Sequence, residues 1–201
     1  LHDERVAKAV IRRSYVAPSY QSAKADGEAE ALDLMMKVFA SGSTSTLYKA
    51  LVVDQKIASS VSGYYGGHGL DYGKIVIAAV PVPGVELKTL EAAIDAEIAK
   101  LIEAGVDAAD LERAKKVYTA EYVYEIDSQS SLARRYGWGL VVGATIEDIE
   151  NWPKEIAKVT PDAATVVARK YLNIDASVTG YLLPEKQAAT ATPSKAPSDR
   201  S

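Results

Sequence analysis

The sequence predicts an α+β fold, a largely antiparallel sheet with helices packed on one face. Three observations carry this. Residues 57–65 and 74–82 are β-branched, turn-bounded and of strand length, and they follow one another in the chain. Apolar residues recur at steps of three and four over 29–39 and 87–101, the period of a helix. Strand-like segments fall into groups separated by helical runs, the pattern of a layered α+β architecture.

The elements follow in order. Residues 6–20, rich in Val, Ile, Arg and Tyr and ending near Pro18, read as one or two strands. Ala29, Leu32, Met35, Met36 and Phe39 mark a helix closing at Gly42. Ser43 to Thr46 form a hydroxyl-rich capping zone for a second helix through Leu47 and Leu51 to Asp54. Strands 57–65 and 74–82 pair as a hairpin across a glycine-rich segment from Gly66 to Gly73. Leu87, Leu90, Ile94, Ile98 and Leu101 then give an amphipathic helix ended by Gly105. Asp107 caps the next helix, with Asp110 three residues on, and that helix runs to about Ile126. Helices over 130–142, 146–159 (bent or restarted at Pro153) and 161–172 follow. The last has Thr160 as its cap and Pro161 at its first turn. Residues 177–183 alternate and form the closing strand.

These elements make one domain over residues 1–186. Residues 187–201 are small, polar and proline-containing, a composition unable to bury enough apolar surface to order itself, and they read as a disordered tail. The chain opens on Leu1 without a charged-then-apolar leader and reads as part of a longer protein.

Composition narrows the function. A net charge of −4 offers no basic field for a phosphate backbone, so nucleic acid is excluded as a partner. The arginine doublets Arg12-Arg13 and Arg134-Arg135 and the pair Lys115-Lys116 read as solvated surface. The absence of cysteine removes disulfides, thiolate catalysis and Cys-based metal sites. The longest apolar stretch, residues 75–83, is strand-sized, so no membrane span is predicted. Tyrosine, at 12 residues against one Phe and two Trp, suits an interface or cleft wall where one end of the ring stays wet.

Chemistry-bearing constellations are sparse. The two histidines, His2 and His68, cannot supply the convergent ligands of a zinc site, and His68 sits in a glycine loop where solvent exposure is expected. No Gly-x-Ser-x-Gly elbow is present. The run from Ser41 to Thr46 precedes a helix but lacks the lysine of a phosphate loop. Carboxylates such as Glu28, Glu30, Asp95, Glu97, Glu147, Asp148 and Glu150 read as solvated helix faces. Arg134-Arg135-Tyr136-Gly137-Trp138-Gly139 has two readings: a corner that contacts a peptide or partner through Arg and aromatics, or a kinked helix with Trp138 in the core.

Several segments together resemble the C-terminal, non-zinc-binding domain of pitrilysin/insulinase-like zinc peptidases, including mitochondrial processing peptidase subunits and bacterial zinc proteases. They are residues 29–36, 41–51, 57–61, the strand and turn Ala79-Val80-Pro81-Val82-Pro83-Gly84-Val85, 105–115, 156–162 and 178–185. Their order and spacing carry the likeness across most of the folded part. The resemblance implies paired α+β half-units enclosing a chamber, with zinc held by an inverted His-x-x-Glu-His motif in an upstream domain. This chain then has no catalytic residue and no metal ligand, and alone is expected to be inactive.

The resemblance further implies an extended peptide held beside an exposed strand. Some family halves supply an Arg and a Tyr, seven positions apart, to the substrate carbonyl. Those positions align with Val52 and Ser59, which lack the donors. A second homologous subunit carrying the Arg/Tyr pair is therefore implied as a partner. Candidate substrate contacts are Ser59, Tyr64, Arg135 and Tyr136. The expected function is a substrate-chamber domain for peptide-bond hydrolysis. The alternatives are a structural or assembly subunit of the same fold, and a small-molecule-binding α+β domain, which would show a deep, closed apolar pocket. Exported relatives point to the periplasm, with the cytoplasm as the alternative.

Overall fold

The five strands of the computed structural model lie in the order β1-β5-β2-β4-β3. The structure describes residues 1–3 and 6–184; the predicted tail at 187–201 lies outside the described residues. Strand β2 (Val10–Pro18) is central, pairing antiparallel with β4 (Tyr72–Pro81) on one side and β5 (Ser177–Pro184) on the other. Strand β3 (Ala58–Gly66) pairs antiparallel with β4 alone and forms one edge. The two-residue β1 (His2–Asp3) adds to β5 in parallel, so the sheet is largely antiparallel.

Alternation along β2 decides which face is covered. Ile11, Arg13, Tyr15 and Ala17 are buried, whereas Arg12 and Val16 are exposed. Helices α1 (Glu28–Phe39), α3 (Leu87–Ala104) and α7 (Pro161–Tyr171) cover the first face. Leu32, Leu34, Met35, Leu90, Ile94 and Ala168 fill the core between helices and sheet. Helices α4 (Ala108–Ile126), α5 (Gln129–Val141) and α6 (Ile146–Lys158) form an outer group; α4 and α6 reach α1. Among the described residues, no helix packs on the opposite face of the sheet.

Local signals explain the boundaries. Asp107 accepts from the Asp110 backbone N–H at 3.0 Å, Thr160 from Ala163 at 3.1 Å, and Gly105 turns out of α3 at φ +82°. The second predicted helix begins as α2 (Thr46–Tyr48) but widens into a π-helix over Lys49–Asp54, where Gln55 N–H donates to the Ala50 carbonyl five residues back. Helix α6 runs through Pro153 without restarting.

Three expectations need correction. Arg13 is not solvated: it is 2% exposed, donating through Nε to Thr179 at 2.9 Å and through Nη2 to Glu91 at 2.8 Å, with Nη1 paired to Asp95. Glu28 is buried between Lys170 and Tyr171 of α7, its burial outweighed by their hydrogen bonds, so its carboxyl titrates below its ordinary value. Glu97 is buried and accepts from Lys100 at 2.7 Å. Each buried charge is met by an oppositely charged partner that itself reaches water, which makes its burial tolerable.

Candidate functional site: an aromatic, acidic cleft

A half-open cleft of about 900 Å³ lies between α1, α4, α5, α6 and the loop joining β3 to β4. Its walls come from regular spacing. Tyr118, Glu121, Tyr122 and Glu125 recur at steps of three and four along α4 and so share one face. Asp148, Trp152 and Glu155 do the same on α6, which starts at a reciprocal capping box between Thr145 and Asp148. That box holds the Asp148 carboxyl below its ordinary value, first through the Thr145 backbone N–H.

At the floor, the Tyr20 hydroxyl donates to the Asp33 carboxylate and accepts from Trp152 Nε1 at 2.8 Å. Burial pushes the Asp33 carboxyl up to about 7; the Tyr20 bond pulls it down and the charge of Glu30 adds to the rise. Burial likewise raises Glu30, helped by Glu155 and Asp26. The hydroxyls of Tyr20 and Tyr118 are raised by burial and then by Asp33, so both remain neutral donors. Lys37 sits 4.8 Å over the Tyr118 ring and pairs with Glu121 at 2.8 Å.

Arg135 enters from α5. Its guanidinium carbon lies 4.7 Å from the Tyr122 ring centre and 5.5 Å from that of Trp152. Its Nε donates to Glu125 at 3.0 Å, and Nη2 pairs with the same carboxylate. Across the mouth, Trp138 Nε1 donates to the His68 carbonyl at 3.3 Å, and the His68 ring stacks on Tyr20 at 5.0 Å. His68 is exposed by area, yet burial of its ring, and then Arg135, hold its pKa below the ordinary value.

The sequence-derived candidates fall in two places. Ser59 and Tyr64 lie on edge strand β3, where Ser59 is the extra residue of a bulge and donates to the Val80 carbonyl at 3.3 Å. The Tyr64 hydroxyl accepts from Arg12 at 3.2 Å. Arg135 lines the cleft, and Tyr136 turns toward α6, donating to Glu150 at 3.2 Å. The structure does not bring the two pairs together, although β3 leads directly into the loop that borders the cleft. Core packing of Trp138 is corrected: it is 57% exposed. Val52, aligned with the family's Arg, lies half-buried on the π-helix against the core.

Sequence reasoning missed Asp33 and Glu30. A signal existed: Asp33 lies four residues after Ala29 and three before Met36, on the apolar stripe of α1, where a carboxylate is out of place. The α4 and α6 walls are periodic, but their meeting with Tyr20, 132 positions before Trp152, leaves no short-range pattern. Zinc does not fit here. Among the described residues no three or more His, Cys, Asp or Glu side chains converge for a metal, and Asp33, Glu125 and Asp148 are engaged in a hydrogen bond, an ion pair and a helix cap.

No curated protein matches the chain. Among solved structures, a protease from Helicobacter pylori is similar at 22% identity and TM-score 0.82, over 92% of this chain and 43% of its own. The inactive peptidase domain of a proposed zinc protease from Bordetella parapertussis is similar at 19% identity and TM-score 0.82, over 95% of this chain and 98% of its own. Complex III2 from Candida albicans contains a chain similar at 12% identity and TM-score 0.71, over 92% of this chain and 44% of its own. The chain thus spans less than half of the Helicobacter and Candida chains and nearly all of the Bordetella domain. The family model described as peptidase M16 inactive domain matches residues 2–118, more than half the sequence, and the chain belongs to that family.

Proposed function

We propose that the chain is the substrate-chamber domain of a zinc metalloendopeptidase whose metal site lies in another, upstream domain of the parent protein. One observation carries the reading: among the described residues β3 has β4 as its only strand neighbour, so it is an edge strand, and it runs into an open, aromatic cleft. An extended peptide can add to that edge through main-chain hydrogen bonds and send a side chain into the cleft. Ser59 and Tyr64 then flank the peptide, and Arg135 and Tyr136 lie at its far end. The missing Arg/Tyr pair at Val52 and Ser59 calls for a second homologous subunit to complete the reaction. A periplasmic location, expected from the resemblance, is tested by whether the parent gene encodes a cleavable leader.

The experiment uses the parent protein with zinc bound. A photo-crosslinker at Tyr64 is expected to capture an extended peptide, and one at Val178, on the same face but on β5 away from the β3 edge, is not. Capture at neither position, or a parent that holds no zinc and cleaves no peptide, overturns the reading. The second outcome favours an assembly subunit, a role consistent with the likeness to the Candida complex III chain.

A further inference from the structure

We infer that the cleft is a subsite for a guanidinium-bearing side chain, and that Arg135 is its resident occupant, displaced when the ligand enters. The inference rests on the peptide-binding reading above. Seven carboxylates face two arginines among the lining residues, so the cleft is strongly negative. Its walls are rich in Tyr and Trp, whose ring faces attract cations.

The chain itself shows what the walls recognise. The guanidinium of Arg135 lies over Tyr122 and Trp152 and pairs with Glu125, three partners that suit a planar cation. Glu30 also lines the cleft but is raised by burial toward its neutral form, so the more exposed Glu121 and Glu125 carry the charge that meets a cation there.

Arg135 is held loosely. Its side chain is 25% exposed and its partner Glu125 is 47% exposed, so water competes for both. Arg13 shows the contrast: it is buried against the sheet with two carboxylates and a hydroxyl, and it cannot leave without disrupting the core. Arg135 also rides on α5, an outer helix that packs on α4 and α6 rather than on the sheet.

The test uses the whole 201-residue chain and two probes, N-acetyl-arginine amide and its neutral isostere N-acetyl-citrulline amide. The indole N–H resonances of Trp138 and Trp152, the two tryptophans present, report binding. The arginine probe is expected to shift the Trp152 resonance saturably and to bind about tenfold more tightly than the citrulline probe. Glu125→Gln weakens it about tenfold, and Arg135→Ala tightens it about tenfold by removing the competitor. Should Arg135→Ala fail to fold, the comparison of the two probes on the unmodified chain decides alone. Equal affinity for both probes, or an unmoved Trp152 resonance, overturns the inference. Arginine-probe binding without peptide capture at Tyr64 keeps the subsite and removes the chamber reading. Capture without arginine preference does the reverse.

Discussion

The Tyr20 hydroxyl donates a hydrogen bond to the Asp33 carboxylate, tying the end of β2 to α1 at the base of the cleft. The same oxygen accepts from Trp152 of α6, so one phenol joins three elements. Asp33 also faces Glu30 and Lys37 of its own helix and Tyr118 of α4. Lys37 and the two phenols favour its charge, whereas burial and Glu30 oppose it, and burial prevails.

That balance predicts a pH dependence. The unfolded Asp33 titrates near 3.8 and the folded one at about 7. Between these values the native state keeps a proton that the unfolded chain has released, so stability falls as pH rises from about 4 to about 7. Asp33→Asn retains an acceptor for Tyr20 and removes the titration. Relative to the unmodified chain it gains stability between pH 4 and pH 8, by up to about 4 kcal/mol. Thermal unfolding of both proteins at the two pH values checks this. A difference between them that does not change with pH sinks the argument.

Arg13 joins β2 to α3 through Glu91 and Asp95 and to β5 through Thr179. Burial opposes its charge, and the Asp95 partner outweighs burial, so the guanidinium stays ionised. Arg13→Ala is expected to cost about 2–3 kcal/mol, less than a fully buried pair because Asp95 is partly wet. Arg13→Met fills the space without leaving a buried charge and costs about half as much. Urea midpoints of the two variants decide the order.

Much of this arrangement was legible in the sequence, and the part that was not has a physical reason. The stripe of Leu90, Ile94, Ile98 and Leu101 is buried in α3, and the caps Asp107 and Thr160 hold their helices. These signals act over three or four residues. Arg13 looked like half of a solvated doublet because its carboxylates lie 78 and 82 positions away. Glu28 looked exposed because its partners lie more than 140 positions along. The cleft combines both situations: its α4 ladder is periodic, yet nothing local shows that Tyr20 will meet Trp152 across 132 positions.

Gly73 should be intolerant of any side chain. A Cβ there would lie 2.6 Å from the Pro18 carbonyl oxygen and 2.8 Å from that of Gly66, both backbone atoms that cannot swing aside. Gly73→Ala is expected to cost about 1–3 kcal/mol. It should also shift the Trp138 indole resonance, since Trp138 donates to His68 in the adjoining loop. Gly66→Ala is the control, because its Cβ would meet nothing nearer than 3.6 Å. Equal stability losses in the two variants would contradict the steric account.

Thr165 makes the sharpest single-atom prediction. Its buried hydroxyl accepts from the Val106 backbone N–H at 2.9 Å and donates to the Pro161 carbonyl at 2.8 Å, fixing the α3–α4 turn to α7. Thr165→Val keeps the shape and removes both bonds, leaving the Val106 N–H buried without a partner. The cost is about 1–3 kcal/mol, the desolvation of an unpaired donor. Thr165→Ser keeps the hydroxyl and loses only a methyl group, about 1 kcal/mol. Amide exchange at Val106 separates the two contributions. It accelerates in the Val variant and stays slow in the Ser variant if the hydroxyl holds the turn, and it accelerates in the Ser variant alone if packing does.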